Sequence, residues 1–169
     1  VQVHQTKYLT EIGFDPTIAA WALALVSLFA VPGQIALGHL SDRIGREWVW
    51  SIGNGGFVLS CAVLLALPAH PSAPLLWMAV VAQGALGYSL TSVMGAIPAE
   101  SFTGRNYGSI FGTVMVAAII GGATGPWVAG ASHDWTGSYS LAFWLSIWCS
   151  VVSAVAIWRG SPRPERGLE

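Results

Sequence analysis

The sequence has few charged residues. Lys and Arg number 7 and Asp and Glu number 8 among 169 residues, which is 9% of the chain. A soluble domain carries about 25% charged residues, so these are too few to cover a water-facing surface. The net charge of -1 gives no sign of a nucleic-acid partner. We therefore expect the lipid bilayer to be the solvent of this chain.

Groups that carry out chemistry are also scarce. Cys61 and Cys149 each lie deep in an apolar run, where they are expected to pack as small apolar side chains and not to form a disulfide or metal site. The histidines are His4, His39, His70 and His133. They fall at the ends of apolar runs on alternate sides, so we expect them not to converge. An enzyme needs such groups within reach of each other, and the sequence therefore indicates no enzyme, metal or cofactor.

Long charge-free segments fill the space between the charged clusters. They are centred on residues 17–38, 48–67, 73–98, 107–131 and 139–158. Each matches the roughly 20 apolar residues of a spanning helix and lacks the alternation of a barrel strand. Because backbone in lipid must satisfy its own hydrogen bonds, we predict an all-α, polytopic membrane helical bundle. A partial helix at 1–14 precedes a five-helix bundle at 15–158, and a polar tail follows at 159–169.

The distribution of Lys and Arg predicts the orientation of the bundle. Arginines at 43, 46, 105, 159, 163 and 166 fall on one side of the bilayer, and Lys7 falls on the other. Short loops on the cytoplasmic side carry the excess of basic residues. We therefore expect a plasma (inner) membrane protein whose C-terminus is cytoplasmic, with outer loops at 68–72 and 133–138.

The first cytoplasmic loop carries a distinctive segment, Gly38 to Arg46, which reads GHLSDRIGR. Gly38 allows close helix approach, Gly45 permits a tight turn, and Asp42 can cap a helix or pair with arginine. A generic basic loop would also hold two arginines, such as Arg43 and Arg46. The full spacing, however, resembles the loop signature of the major facilitator superfamily.

This resemblance extends over nearly the whole chain. Residues 1–14 look like the outer end of the seventh helix of that fold, which would make the five spans helices eight to twelve. The chain would then be the C-terminal half of a transporter, inactive without its N-terminal half. Residues 97–108 and 121–139 are similar to carboxylate-type members such as monocarboxylate porters and oxalate–formate exchangers.

The resemblance implies secondary active transport of a small solute by alternating access, with an organic anion as one candidate substrate. It also implies that Asp42, Arg46 and Glu100 form a charge set that stabilises one access state. The candidate cytoplasmic gate comprises Gly38, Asp42, Arg43, Gly45, Arg46, Glu100 and Arg105. Two alternatives stay open. In the first, the loop charges are merely solvated, since exposed pairs contribute about 0–1 kcal/mol. In the second, the chain is part of a non-transporting subunit or receptor on the same scaffold.

Polar residues within the spans give a candidate substrate pathway. It comprises His4, Ser27, Gln34, Gln83, Tyr88 and Thr91. Ser27 and Gln34 are seven apart and share a helical face, while Gln83, Gly87 and Thr91 would form one stripe. The alternative for each is an interhelical hydrogen bond, worth about 0.6 kcal/mol.

Charge is missing from this pathway. Carboxylate-type relatives commonly place an arginine near Gln34, so a carboxylate substrate would need a positive partner from the other half. No Asp or Glu lies at the centre of a span, which leaves His4 as the nearby group that titrates.

Glycine and proline concentrate in the fourth span. Gly121 and Gly125 form a small-xxx-small pair of the kind that packs helices closely. Pro126 removes a backbone hydrogen bond and is expected to kink the helix. We expect these residues to serve helix packing, with hinge bending as an added role.

Overall fold

The computed structural model describes residues 2–101 and 107–160, apart from the side chains at positions 89, 100 and 101. The helices are α1 (Gln2–Glu11), α2 (Pro16–Ile44), α3 (Arg46–Ala66), α4 (Ala73–Val81), α5 (Leu90–Met94), α6 (Ala96–Ser101), α7 (Tyr107–Thr136) and α8 (Ser140–Gly160). A π-helical turn, Ala82–Leu86, and a 3₁₀ turn, Gly87–Ser89, join α4 to α5.

Five helical segments are long and apolar enough to cross a membrane. They are Pro16–Ile44, Arg46–Ala66, Ala73–Ala99, Tyr107–Thr136 and Ser140–Gly160. The described residues contain no strand. The predicted all-α membrane bundle is confirmed, and the tail beyond residue 160 lies outside the described residues.

Local signals explain where the first span begins and ends. Asp15 Oδ1 accepts a hydrogen bond of 2.8 Å from the Thr17 amide, and Pro16 occupies the first helical turn. Such a residue caps the free amides of a helix start. The same hydrogen bond lowers the pKa of Asp15. At the other end Gly45 has φ 99°, which only glycine adopts without strain, so the chain turns there directly into α3.

Two features differ from the expected pattern. α7 continues to Thr136, so most of the outer loop expected at 133–138 is helical. The Thr136 hydroxyl donates to the Ser132 carbonyl over 2.7 Å, and Gly137, with φ 68°, ends the helix. The third span is not a uniform α-helix, because its centre winds through the π-helical and 3₁₀ turns.

Close backbone contact joins α2 and α3 to the π-helical turn. A Cβ added at Gly33 would overlap the backbone of Ala85, and one added at Gly56 would overlap Leu86. A Cβ at Gly84 would lie 2.6 Å from the Val26 carbonyl oxygen. Helices in lipid gain little from apolar burial against each other and depend on such close packing. These three elements therefore form the tightly packed part of the bundle.

α8 packs along α3 through polar and aromatic contacts. The Trp50 indole donates to the Ser153 hydroxyl over 3.0 Å, and the Trp158 indole donates to the Ser51 hydroxyl over 2.9 Å. The end of α8 therefore lies beside the start of α3. This contact places Arg159 on the same side of the bundle as Arg46.

We predict that Gly33→Ala destabilises the protein. Its methyl group would meet the fixed backbone of Ala85, and overpacking of this kind costs about 1–3 kcal/mol. Thermal unfolding of the expressed protein in detergent measures the loss.

The matched control is Gly55→Ala, because a Cβ there meets nothing within 4 Å among the described residues. Alanine favours the helix by about 0.8–1 kcal/mol over glycine, so this variant should be at least as stable as the parent. Equal stability of the two variants would contradict the proposed close contact.

Candidate functional site

A cavity of about 650 Å³ lies between α1, α7 and α8, with Tyr88 of the third span at one side. Aromatic and polar side chains form part of its wall, and glycines of α7 form another part. The wall includes Gln2, His4, Tyr8, Tyr88, Gly121, Gly125, Pro126, Ala129, Tyr139 and Cys149. A mostly apolar cavity with a few convergent polar groups has the properties of a small-molecule site.

The cavity includes some of the predicted pathway residues and not others. His4 and Tyr88 line it, whereas Ser27, Gln34, Gln83 and Thr91 lie outside its described wall. Ser27 and Thr91 are exposed, and Gln34 is half-buried. The pathway roles of these four residues stay predictions.

The expected stripe of Gln83, Gly87 and Thr91 does not form. Gln83 is completely buried, while Thr91 is exposed and donates to the Tyr88 carbonyl over 2.8 Å. The stripe assumed an α-helix throughout. Between Gln83 and Thr91 the chain instead forms a π-helical turn and a 3₁₀ turn, neither of which follows the 3.6-residue repeat.

Two buried glutamines carry unused hydrogen-bonding capacity. Gln83 and Gln5 are 0% and 1% exposed, and neither amide makes a hydrogen bond of normal geometry among the described residues, although the Gln83 amide lies near the Tyr88 hydroxyl. A buried unpartnered polar group costs about 1–3 kcal/mol, so it requires an explanation. A π-helical turn is itself frequent at functional sites. Sequence reasoning missed Gln5, although its spacing of three from Gln2 is a signal that both share a face of α1.

A hydrogen bond connects α1 with the third span. The Tyr88 hydroxyl donates to Gln2 Oε1 over 2.5 Å. The Tyr8 hydroxyl likewise donates to the Leu64 carbonyl of α3. α1 is therefore held by polar contacts on two sides, and its remaining side faces the cavity.

Two histidines contact the same tyrosine at the predicted outer end of the cavity. Tyr139 lies between them, with ring centroids 5.5 Å from His4 and 4.2 Å from His133. His133 Nε2 is 3.2 Å from Glu11 Oε2, which connects α7 to the end of α1. The expectation that the histidines do not converge is wrong for this pair, because both lie on the outer side and Tyr139 brings their helices together.

Gly121 and Gly125 of α7 were expected to pack against a neighbouring helix, but among the described residues they make no such close contact. A Cβ at Gly121 or Gly125 would meet nothing within 4 Å, and both glycines line the cavity. Pro126 lies inside a continuous α7, and its carbonyl oxygen is 3.0 Å from His4 Nε2. Among the described residues these glycines therefore provide space, and Pro126 provides a contact.

The motif at residues 38–46 is a compact hydrogen-bonded turn. Arg46 Nη1 is 2.7 Å from Asp42 Oδ1, and the same nitrogen donates to the Ser41 hydroxyl. Ser41 in turn donates to the Gly38 carbonyl over 2.8 Å. Asp42 and Arg43 are exposed, whereas Arg46 is partly buried. Arg105 and the side chain of Glu100, which were also predicted to belong to the gate, lie outside the described residues.

Across residues 2–101 and 107–160 no group of three or more His, Cys, Asp or Glu side chains could hold a metal ion.

Comparison with known proteins agrees with the helical architecture. The family model described as Major Facilitator Superfamily matches residues 5–169. The chain belongs to the major facilitator superfamily. It is therefore an integral membrane protein of a transporter family.

The chain is similar to curated transporters of that superfamily. Monocarboxylate transporter 13 of Rattus norvegicus is 30% identical over 83% of this chain and 33% of its own length. A triacylglyceride transporter of Mycobacterium tuberculosis is 25% identical over 88% of this chain and 29% of its own length. The chain thus spans about a third of the length of the curated relatives it matches. No solved structure matches it significantly.

We predict that Gln83→Leu separates stability from activity. Leucine is similar in size and removes a buried amide that makes no hydrogen bond of normal geometry, so the free energy of unfolding should stay equal or rise, by up to about 1–3 kcal/mol. If Gln83 serves the transport pathway, substrate uptake by the same variant should fall. Thermal unfolding and uptake are measured on the same preparation.

Gln34→Leu is the companion variant in the second span. A role of both residues in packing alone would leave uptake at the parental rate in both variants, and this result would remove them from the pathway.

Proposed function

We propose that this chain forms the C-terminal half of a secondary transporter that moves a small solute across the membrane by alternating access. The observation that carries the proposal is the cavity between α1, α7 and α8, which reaches from Tyr139 near the outer ends to Cys149 and Gly121 deep within α8 and α7. At a rise of 1.5 Å per residue, Gly121 lies about 22 Å along the helix from Thr136. A site near the bilayer midplane, at the junction of two halves, is typical of such transporters.

The substrate is proposed to be a small organic solute. Relatives are named for a monocarboxylate and for triacylglycerides, so their names differ too widely to choose a cargo. The described cavity wall contains no Asp, Glu, Lys or Arg. An organic anion therefore requires its positive partner from another part of the transporter, since a buried unpaired charge is costly.

The cytoplasmic motif is proposed to hold the transporter closed on the inner side. Asp42 already accepts from Arg46 within its own turn, and its exposed side chain is free to approach the helices of the N-terminal half. A helix N-terminus there would attract the carboxylate through its dipole. Glu100 and Arg105 would complete this gate, and the C-terminus would then be cytoplasmic.

Two-sided labelling tests alternating access without knowledge of the solute. Ala129 lines the cavity, and Ala129→Cys is introduced after Cys61 and Cys149 are replaced by serine. A membrane-impermeant maleimide is applied to right-side-out and inside-out vesicles of the full-length transporter. Alternating access predicts labelling from both sides. A receptor or non-transporting subunit built on the same scaffold would give labelling from one side only.

Asp42→Asn is predicted to shift this labelling toward the inner side. The substitution keeps the size and removes the charge, so it weakens the contact that favours the inward-closed state, and a state equilibrium shifts only by such a differential contact. The contact is exposed, so labelling from inside should rise about two- to fivefold, which corresponds to about 0.4–1 kcal/mol, the upper part of the range for exposed charge pairs. Turnover should slow more than substrate binding weakens.

The control is Asp134→Asn, which removes an exposed carboxylate near the C-terminal end of α7, on the side of the bundle predicted to face away from Asp42. It should leave the inner labelling at the parental rate. Parental labelling and turnover in Asp42→Asn itself would mean that Asp42 is only a solvated loop charge.

A further inference from the structure

A second cavity, of about 570 Å³, forms an open groove along the junction of α3 and α8. Its wall follows α3 from Ser51 to Val58 and α8 from Ser150 to Arg159. None of its residues belongs to the described wall of the first cavity. This α3–α8 groove is therefore separate from the proposed transport pathway, and a ligand in it would have a different role.

The length of the α3–α8 groove is apolar and accessible. Val151 and Val155 are exposed along its α8 side. On the α3 side Gly55 leaves space, since a Cβ added there would meet nothing within 4 Å among the described residues. In a bilayer, apolar side chains that are exposed on a spanning helix meet the hydrocarbon of the lipid. The groove therefore has the shape and the surface to receive an acyl chain.

Two polar side chains of the groove wall already bond within the protein. The Ser51 hydroxyl donates to the Glu47 carbonyl over 2.9 Å and accepts from the Trp158 indole over 2.9 Å. The Asn54 side-chain amide donates to the Trp50 carbonyl over 2.9 Å. These groups are occupied by the helices themselves, which favours an apolar occupant over a ligand that needs hydrogen bonds along the groove.

One end of the α3–α8 groove carries a positive charge. Arg159 is exposed there and makes no ion pair with another described residue. Beside it, Trp158 packs edge-on against Trp48, with ring centroids 5.1 Å apart. Tryptophans collect at the level of the lipid headgroups, so this pair indicates that the Arg159 end lies at the bilayer surface. A guanidinium at that level is suited to bind a phosphate through two parallel hydrogen bonds.

The dimensions of the groove match one leaflet of a bilayer. From Ser150 to Arg159 the helix rises about 14 Å, at 1.5 Å per residue. The hydrocarbon of a bilayer is about 30 Å thick, so one leaflet contributes about 15 Å. An acyl chain whose headgroup lies at Arg159 would therefore follow the groove as far as the bilayer midplane.

We propose that the α3–α8 groove binds an anionic phospholipid from the leaflet on the Arg46 side of the bundle. One acyl chain lies along the groove over Gly55 and Val155, and the headgroup phosphate accepts hydrogen bonds from the Arg159 guanidinium. An anionic headgroup is favoured because Arg159 is the one charged residue of the described wall, so no carboxylate in that wall repels it. The leaflet that the predicted orientation makes cytoplasmic also carries anionic lipids.

Photo-crosslinking in a bilayer tests the site directly. The full-length protein is placed in phosphatidylcholine nanodiscs that contain a phosphatidylglycerol probe with a diazirine on one acyl chain, and the crosslinked peptides are mapped by mass spectrometry. Crosslinks should concentrate on residues 51–58 and 150–159. A phosphatidylcholine probe with the same chain should give about fivefold fewer crosslinks there, because one basic residue near the surface favours an anionic lipid by about that factor.

Substitutions separate the headgroup contact from the chain contact. Arg159→Gln should lower phosphatidylglycerol crosslinking in the groove about fivefold, to the level of the phosphatidylcholine probe, whereas Arg159→Lys should retain most of it. Gly55→Leu fills the groove without overlapping a described neighbour, so it should reduce crosslinking by both probes. Thermal unfolding in detergent verifies that each variant is folded.

Arg43→Gln is the matched control, because Arg43 is an exposed arginine on the same side that lies outside the described groove wall. It should leave crosslinking in the groove at the parental level. Three results would overturn the proposal: equal crosslinking by the two probes, an equal loss in Arg43→Gln and Arg159→Gln, or the absence of lipid from both segments, as a second copy of the chain seated on the groove would cause. Crosslinking is measured without transport, so a failure here is separate from a failure of alternating access.

Discussion

Close backbone contact between α2, α3 and the π-helical turn determines how the rest of the bundle is arranged. Lipid offers the helices no hydrophobic reason to associate, so their contact depends on how closely the backbones approach. Gly33, Gly56 and Gly84 supply that approach because any larger side chain would overlap the neighbouring helix. The third span is held in position by these contacts, and Tyr88 is thereby placed beside α1.

On the opposite side of the bundle, a few polar contacts take the place of close backbone packing. α7 has no buried residue in its apolar window, and it meets α1 through separate polar contacts at His4 and His133. Hydrogen bonds and ion pairs of this kind can be exchanged at small cost, whereas interlocked backbones cannot slide without overlap. The cavity therefore lies beside the tightly packed elements, and the α1–α7 part of its wall is held by few directional contacts.

The sequence allowed prediction of the spans and of the motif turn, because both depend on local constraints. Bilayer thickness requires each apolar run to be long enough, and Gly45 marks the turn at which Asp42 and Arg46 can pair. The contact of His4 and His133 with the same tyrosine and the π-helical turn depend on how helices rotate against each other. Such tertiary fit leaves no periodic signal in a single sequence, and α-helical spacing misplaced Thr91 for that reason.

The π-helical turn at Ala82–Leu86 also affects how this chain should be compared with other sequences. A π turn holds more residues than an α turn, and the 3₁₀ turn Gly87–Ser89 that follows it holds fewer. The two turns rotate the helix in opposite senses, so the residues after Ser89 return toward the register of a regular α-helix. An ungapped alignment with a relative whose third span is a regular α-helix is therefore expected to misassign the faces of the residues between Ala82 and Ser89, although the aligned residues would still look equally apolar.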